Sequence, residues 1–280
     1  MKILVTGGSG YLGTHVKNYL NADDLSRRAG FDILDEYDVK MVRDYDVVVH
    51  LAAHLDKSPD AADLVFKTNV DGTLNVLREV REGAAFIFAS TKDVYGPFAD
   101  NYREVPESCP PLYAGQSALE WSKLIAERYV EYYASAGNFR SCIFRMSTVY
   151  APASEGNVPN FVGYYADAIN KGEPLALPGN GTPRRDLLHV DDFSDVCLAF
   201  AESIIRRGLY NVGGGPEKAL RLNDLVEMLE EVSGLQAVID KTANLVPPRP
   251  VDYVTDLKLV AQELGWSPKI SLKEGLKTLF

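Results

Sequence analysis

The chain is 280 residues long and 46% hydrophobic, enough to bury a sizeable core as one large domain or as a domain with an added lobe. Its formal net charge of −10 removes any general attraction to nucleic acid or to an anionic membrane, so an anionic ligand would have to be met by local cations. The three cysteines, Cys109, Cys142 and Cys197, form no CxxC pair and have no nearby histidine at metal-ligand spacing, so neither a disulfide framework nor a metal site is expected, and the default compartment is a reducing cytosol.

The N-terminal MKILVTGG is too short an apolar run for a signal peptide, and no stretch approaches the roughly 18 apolar residues of a membrane span. A cytoplasmic protein without membrane contact is expected. Lys2–Thr6 reads as a buried strand that runs directly into Gly7, Gly10 and Gly13, with a helix expected over Tyr11–Leu20. GxxGxxG alone is a weak signal, because ordinary tight turns use it too. Between a buried strand and a helix it predicts a phosphate-binding turn, in which the backbone around Gly7, Gly10, Tyr11, Leu12 and Gly13 faces a dinucleotide's pyrophosphate.

The acid that ordinarily follows about twenty positions on, to accept from the ribose hydroxyls of NAD, is missing. Asp23 and Asp24 come too early, and Leu25-Ser26-Arg27-Arg28 stands in its place. Arg27 or Arg28 would suit a 2′-phosphate and tilts the cofactor choice slightly toward NADP over NAD, although paired surface arginines are also commonly just solvated.

Further strands are expected at Val47–Leu51, Phe86–Ala89 and Ser141–Arg145, too apolar for a solvated face, with helices at Ala61–Arg81 and Ser117–Ala136 long enough to cross back over a sheet. The alternation predicts an α/β fold, a Rossmann-type doubly wound parallel sheet over residues 1–150. Beyond 150, prolines and glycines punctuate shorter elements, with helices at Phe161–Lys171, Val190–Arg206 and Leu222–Ser233 and an extended connector around Val246–Pro250. Residues 151–280 read mainly as a smaller α/β substrate lobe, sharing one compact unit and a cleft with the first, with the chain crossing between the two.

His50 and His54 bracket a strand end and read as structural. His189 precedes a helix whose N-cap is expected at Asp191 or Asp192. Trp121, Ile125, Tyr129 and Tyr132 recur at helical spacing, a stripe that could face the sheet or a second copy.

These motifs run in order: VTGGSGYLG at 5–13, Asp32-Ile33, HLAA at 50–53, TNVDGTLNVL at 68–77, FASTKDVYG at 88–96, WSKLIAE at 121–127, RMSTVY at 145–150, RRDLLHVDD at 184–192, YNVGGG at 210–215 and RPVD at 249–252. Together they resemble the extended short-chain dehydrogenase/reductase family, in its branch of NAD-dependent epimerases, dehydratases and reductases of nucleotide-sugars. The resemblance covers nearly the whole chain. It implies that Asp32 and Ile33 meet the adenine, that Leu51, Ala52 and Ala53 line the cofactor's path, and that Asn69 supports it near Lys123. It further implies a nucleoside-diphosphate sugar gripped by Arg185, Arg249, Asp252 and Thr148, and a homodimer built on the helices at 61–81 and 117–136. Guanidinium forks suit a diphosphate in an acidic protein. Arg206 and Arg207, read as ending a helix, are expected to be solvated.

The chemistry so implied uses a Ser or Thr, a Tyr and a Lys, the lysine lowering the phenol's pKa so that it can exchange a proton with a sugar hydroxyl. Thr91 and Lys123 match two of the three; four residues before the lysine, one turn away on the same face, stands Leu119. Three accounts remain open. Tyr113 could reach the site by a different path of the chain, another acid or base such as Asp93, Lys92 or Tyr95 could act, or catalysis could be lost and the protein serve as a sensor or scaffold. Related dehydratases carry an Asp-Glu pair after the threonine, so Lys92-Asp93 speaks against their usual route. Epimerisation or keto-reduction is the expected reaction.

Overall fold

The computed structural model describes residues 1–243 and 245–280. In chain order its elements are β1 (Ile3–Thr6), α1 (Tyr11–Leu20), β2 (Asp23–Leu25), β3 (Val47–His50), α2 (Ala62–Phe66), α3 (Gly72–Glu79), β4 (Ala85–Thr91), α4 (Ala118–Ala136), β5 (Arg140–Met146) and β6 (Thr148–Tyr150). There follow α5 (Phe161–Lys171), β7 (Pro174–Leu175), β8 (Arg184–His189), α6 (Val190–Glu202), β9 (Arg207–Val212), β10 (Ala219–Arg221), α7 (Leu222–Ser233), β11 (Val238–Ile239), α8 (Lys258–Leu264) and α9 (Leu272–Lys277).

A six-stranded parallel sheet runs in the order β2-β1-β3-β4-β5-β9. Its strands alternate sides, as pleating requires. Ile3, Val5, Val47, Val49, Ile87 and Phe144 bury against Val16 of α1, Phe193 and Phe200 of α6 and Val260 of α8. Leu4, Val48, Phe86, Phe88 and Ile143 bury on the other face against Val76 and Leu77 of α3 and Ala126 and Val130 of α4. Apolar burial on both faces, about 1.5–3 kcal/mol for each such side chain, is what fixes a doubly wound architecture.

The usual order of such a sheet is 3-2-1-4-5-6. Here β2 is the edge, and among the described residues the chain between β2 and β3 supplies only short 3₁₀ turns at Arg27–Ala29 and Asp38–Asp44, with neither an outer strand nor a crossover helix. An edge of three residues, two of them aspartates, is a poor template for further pairing.

The second lobe carries the sheets β10-β8-β6 and β11-β7 and begins with β6. Tyr150, Tyr165, Leu187, Leu225, Leu229 and Leu276 make its core. However, β9 pairs with β5 in the large sheet and α6 packs on α1's side of it, so the first layer draws on both halves of the chain and position 150 does not partition the fold.

Local corrections have physical reasons. The helix expected over Ala61–Arg81 widens into a π turn at Lys67–Asp71. The one expected over Val190–Arg206 stops at Glu202, and Arg207 opens β9, so Arg206 and Arg207 end no helix. His189 is itself the N-cap of α6, its ring accepting from the Asp191 amide at 3.2 Å, so neither aspartate plays that part.

Candidate active site

The glycine turn joins β1 to α1 at the carboxyl edge of the large sheet. Gly7 has φ +71°, and a Cβ there would stand 2.8 Å from the Ala52 nitrogen, so the turn lies directly on the strand end that carries Leu51, Ala52 and Ala53. At Gly13 a Cβ would come 2.0 Å from the Gly7 carbonyl oxygen. Helix α1 starts at Gly10 with no side-chain cap and no acid in its first turn, leaving the amides at Tyr11, Leu12 and Gly13 for an anion. This cradle of bare backbone and uncapped donors fits a dinucleotide pyrophosphate. The Tyr11 hydroxyl meanwhile donates to Ala151 O at 2.7 Å, linking the turn to the second lobe.

Beside the turn, Ser9 donates to Asp24 Oδ2 at 2.6 Å and Ser26 donates to Ser9 at 2.9 Å. Arg28 is engaged by the protein: it donates to Ser9 O at 2.9 Å, to Asn157 Oδ1 at 3.0 Å and to Gly156 O at 2.5 Å, strapping the 154–157 loop over the glycine turn. Arg27 is exposed. Ile33 is buried and packs on Gly72, where a Cβ would meet its Cδ1 at 2.5 Å, while Asp32 caps its own turn by accepting from Leu34 N. His50 is fixed between Thr6 and Thr73, at 2.8 and 2.9 Å, and burial together with nearby Lys123 pushes its pKa down to about 3, so it ties strand ends as a neutral ring.

Thr91 ends β4, its hydroxyl accepting from Asp93 N at 3.1 Å. Lys123 lies on the inward face of α4, buried, with Nζ donating to Ala89 O at 2.8 Å and standing 4.8 Å over the Phe88 ring. Asn69 braces this region: its amide donates to Ser122 and to His54 O, at 2.9 and 3.0 Å. Leu119 shares Lys123's face and is buried. Tyr113 does not join them. It is 68% exposed and leans on Trp121, with ring centroids 5.8 Å apart.

Burial pushes the Lys123 ammonium down to about 8 from 10.5, against the opposing pull of Glu127. The unfolded chain therefore binds more protons at this residue than the folded one between those values, so its contribution to stability rises with pH across that window. Urea unfolding of the wild type and Lys123→Met, subtracted pH by pH, should show that rise; a flat difference would contradict a buried ammonium.

Between the lobes lies a cavity of about 430 Å³ lined by Thr91, Lys92, Asp93, Thr148, Arg185 and Arg249, among others. Arg185 donates to Pro250 O and Val251 O at 2.9 and 2.6 Å and so holds the 249–251 segment against the cleft. Arg249 pairs with Asp100 at 3.2 Å, and Asp252 accepts from Arg184 N at 2.8 Å. Lys57, which belongs to none of the sequence motifs, also lines the cavity and bridges Asp93 Oδ2 at 2.8 Å and Glu120 Oε1 at 2.6 Å. Burial would raise the pKa of Asp93, yet Lys92 and Lys57 hold its carboxylate well below the usual range. Nothing in the local sequence marks Lys57, because both its partners are more than thirty residues away.

A phosphate-binding turn, a Thr–Lys pair at the sheet's carboxyl edge and a cationic cleft define a Rossmann-type dinucleotide-dependent enzyme. The profile of the NAD dependent epimerase/dehydratase family matches residues 3–213, and the chain belongs to that family. It is 28% identical to the CDP-paratose 2-epimerase of Salmonella typhi, over all of this chain and 98% of that one. It is 30% identical to a putative UDP-glucose 4-epimerase of Methanocaldococcus jannaschii, covering 98% and 96% of the two chains. The structure of UDP-glucuronic acid 4-epimerase from Bacillus cereus with UDP-glucuronic acid and NAD superposes with a TM-score of 0.85 at 25% identity, over 100% of this chain and 98% of that one.

Proposed function

We propose that the protein is an NAD(P)-dependent nucleotide-sugar epimerase or keto-reductase that transfers hydride at a sugar carbon. The observation that carries this reading is the cleft, which sets Thr91 at the end of β4 in one cavity with Arg185 and Arg249, beside the glycine turn. A bound nicotinamide supplies a reversible hydride acceptor. The protein's own part is to position: Thr91 orients the sugar oxygen, Lys123 holds the nicotinamide ribose, and Arg185 and Arg249 grip the diphosphate with Thr148 and Asp252 beside them. Turnover of a panel of UDP-, dTDP-, CDP- and GDP-sugars, with products read by proton NMR, tests this; a protein that binds such sugars and converts none would be the sensor or scaffold instead.

An epimerase returns its hydride and keeps its cofactor, whereas a reductase consumes reduced cofactor at each turnover. The redox state and amount of dinucleotide carried through purification distinguish them.

Whether NAD or NADP is preferred turns on the two arginines. Because Arg28 straps the 154–157 loop, Arg28→Ala should weaken both dinucleotides alike, by about tenfold or less, as expected from losing contacts worth up to ~1.4 kcal/mol. Selective loss of NADP in that variant, measured by calorimetry, would make Arg28 the phosphate ligand; selective loss with Arg27→Ala would assign the choice to the exposed guanidinium.

A homodimer is the assembly the helical pair would form. The buried face of α4 carries Ser122, Lys123, Ala126, Glu127 and Val130, leaving Ile125 and Tyr132 exposed, as is Leu64 of the adjoining α2. Three buried free cysteines suit a cytoplasmic protein.

A further inference from the structure

Leu119 leaves its position without the phenol that would carry a proton to and from the sugar oxygen, and Tyr165, the phenol that does line the cavity, packs into the second lobe's core. Polar groups of the cavity and of the start of α4 form one network. Asp93 follows Thr91 by two residues, and Glu120 follows Leu119 by one. Lys57 Nζ bonds both, at 2.8 and 2.6 Å, and is thereby bracketed between the segment that presents Thr91 and the helix start that lacks the tyrosine. Glu120 cannot swing away, because it closes the capping box of α4 by accepting from Ser117. An ammonium has three N–H donors. Two are taken by the carboxylates, and the third has no partner among the described residues while the side chain lines the cavity.

We propose that Lys57 is the proton donor of this site, replacing the absent phenol in the reduction of a keto-sugar nucleotide. This rests on the reading of the cleft as a nucleotide-sugar redox centre. As the carbonyl carbon gains a hydride with its electron pair from the reduced nicotinamide dinucleotide, the C=O π bond opens and the carbonyl oxygen takes a proton from Lys57 Nζ. One C–H and one O–H bond form, the dinucleotide's C–H bond and one Lys57 N–H bond break, the dinucleotide leaves oxidised, and the amine regains its proton from solvent. Thr91 donates to the same oxygen. Although burial opposes it, the two carboxylates push the Lys57 pKa up to about 12, so near neutrality it is a donor and not a base. That asymmetry favours keto-reduction over a cycle that must also abstract a proton from a hydroxyl.

The test uses the full chain with UDP-4-keto-6-deoxyglucose and dTDP-4-keto-6-deoxyglucose as probes, NADH or NADPH as cofactor, and the variants Lys57→Met, Lys57→Arg and Lys57→Met/Leu119→Tyr. Lys57→Met should lower kcat by roughly 100-fold or more with little change in KM. Adding Leu119→Tyr, which restores a phenol one helical turn from Lys123, should recover at least about tenfold of that loss, a rescue no structural role for Lys57 would give. In protein whose lysines are ¹³C-methylated, the Lys57 resonance, identified by its disappearance in Lys57→Arg, should move with UDP-4-keto-6-deoxyglucose and not with UDP. Wild-type kcat in Lys57→Met, an unrescued double variant, or equal NMR responses to the two ligands would overturn the assignment of Lys57 alone. A wild-type protein that transfers no hydride with either probe would overturn the redox reading as well.

Discussion

Gly13→Ala is expected to weaken NAD and NADP binding by about 100-fold or more, ~2.7 kcal/mol, in a protein that still folds. The cause is local. A methyl at this position would stand 2.0 Å from the Gly7 carbonyl oxygen, 2.8 Å from its carbon and 2.9 Å from Gly8 Cα, all of them backbone and so unable to rotate aside. The turn must open, which moves the α1 amides away from where a pyrophosphate would sit. Overpacking of this kind costs about 1–3 kcal/mol of stability, which the extensive core can bear. Titration calorimetry with each dinucleotide, beside a urea unfolding curve, separates the two effects. Unchanged affinity in a folded variant would mean that the cofactor does not use this turn.

Arg145→Met should cost about 3–5 kcal/mol of stability, the largest loss expected from one substitution outside the apolar core. Arg145 and Glu127 are both buried, paired at 2.6 and 3.0 Å. Arg145 also donates to the Tyr95 hydroxyl at 3.1 Å, Tyr95 donates to Asn211 at 2.7 Å, and Ser90 donates to Glu127 at 2.6 Å. Burial opposes the charge on Arg145, yet the Glu127 carboxylate outweighs it and holds the guanidinium above its ordinary range. Removing Arg145 leaves the buried Glu127 carboxylate with Ser90 and the more distant, half-exposed Arg128 at 3.5 Å, so Arg145→Met/Glu127→Leu should recover much of the loss. Denaturant midpoints of the single and double variants measure this. Because Ser90 adjoins Thr91 and Glu127 lies one turn beyond Lys123, the single variant should also lower kcat while the double variant restores stability more than activity.

The parts legible in the sequence were those decided by neighbours along the chain. Tyr11–Leu20, Phe161–Lys171 and Leu222–Ser233 form helices with the expected ends, since caps and periodicity are local. The strand β9 was not legible. Arg206 and Arg207 precede a glycine, and only the pairing with β5, more than sixty residues away, makes Arg207–Val212 a strand. Gly208 is there because a Cβ would meet the Tyr210 ring at 2.3 Å. The shortness of the chain after α1 was visible; its consequence, a sheet ending at β2, required the topology.

The site divides in the same way. Thr91, Lys123 and the glycines were readable as motifs. A displaced loop could in principle deliver Tyr113 as the missing phenol; the capping box at Ser117 instead starts α4 so that the preceding loop lays Tyr113 on Trp121, exposed to solvent. Arg28 looked available for a phosphate because the 154–157 loop that consumes its donors lies over 120 residues further on. Lys57 was invisible for the same reason.

The measurement that bears most directly on the account is a thermal-shift panel of NAD, NADP and their reduced forms, each with and without UDP, dTDP, CDP and GDP, since a ligand that binds the native state raises apparent stability by mass action. The predicted result is stabilisation by at least one dinucleotide, increased again by one particular nucleoside diphosphate and abolished in Gly13→Ala. No shift with any dinucleotide would contradict the central claim that this cleft is built around a nicotinamide cofactor.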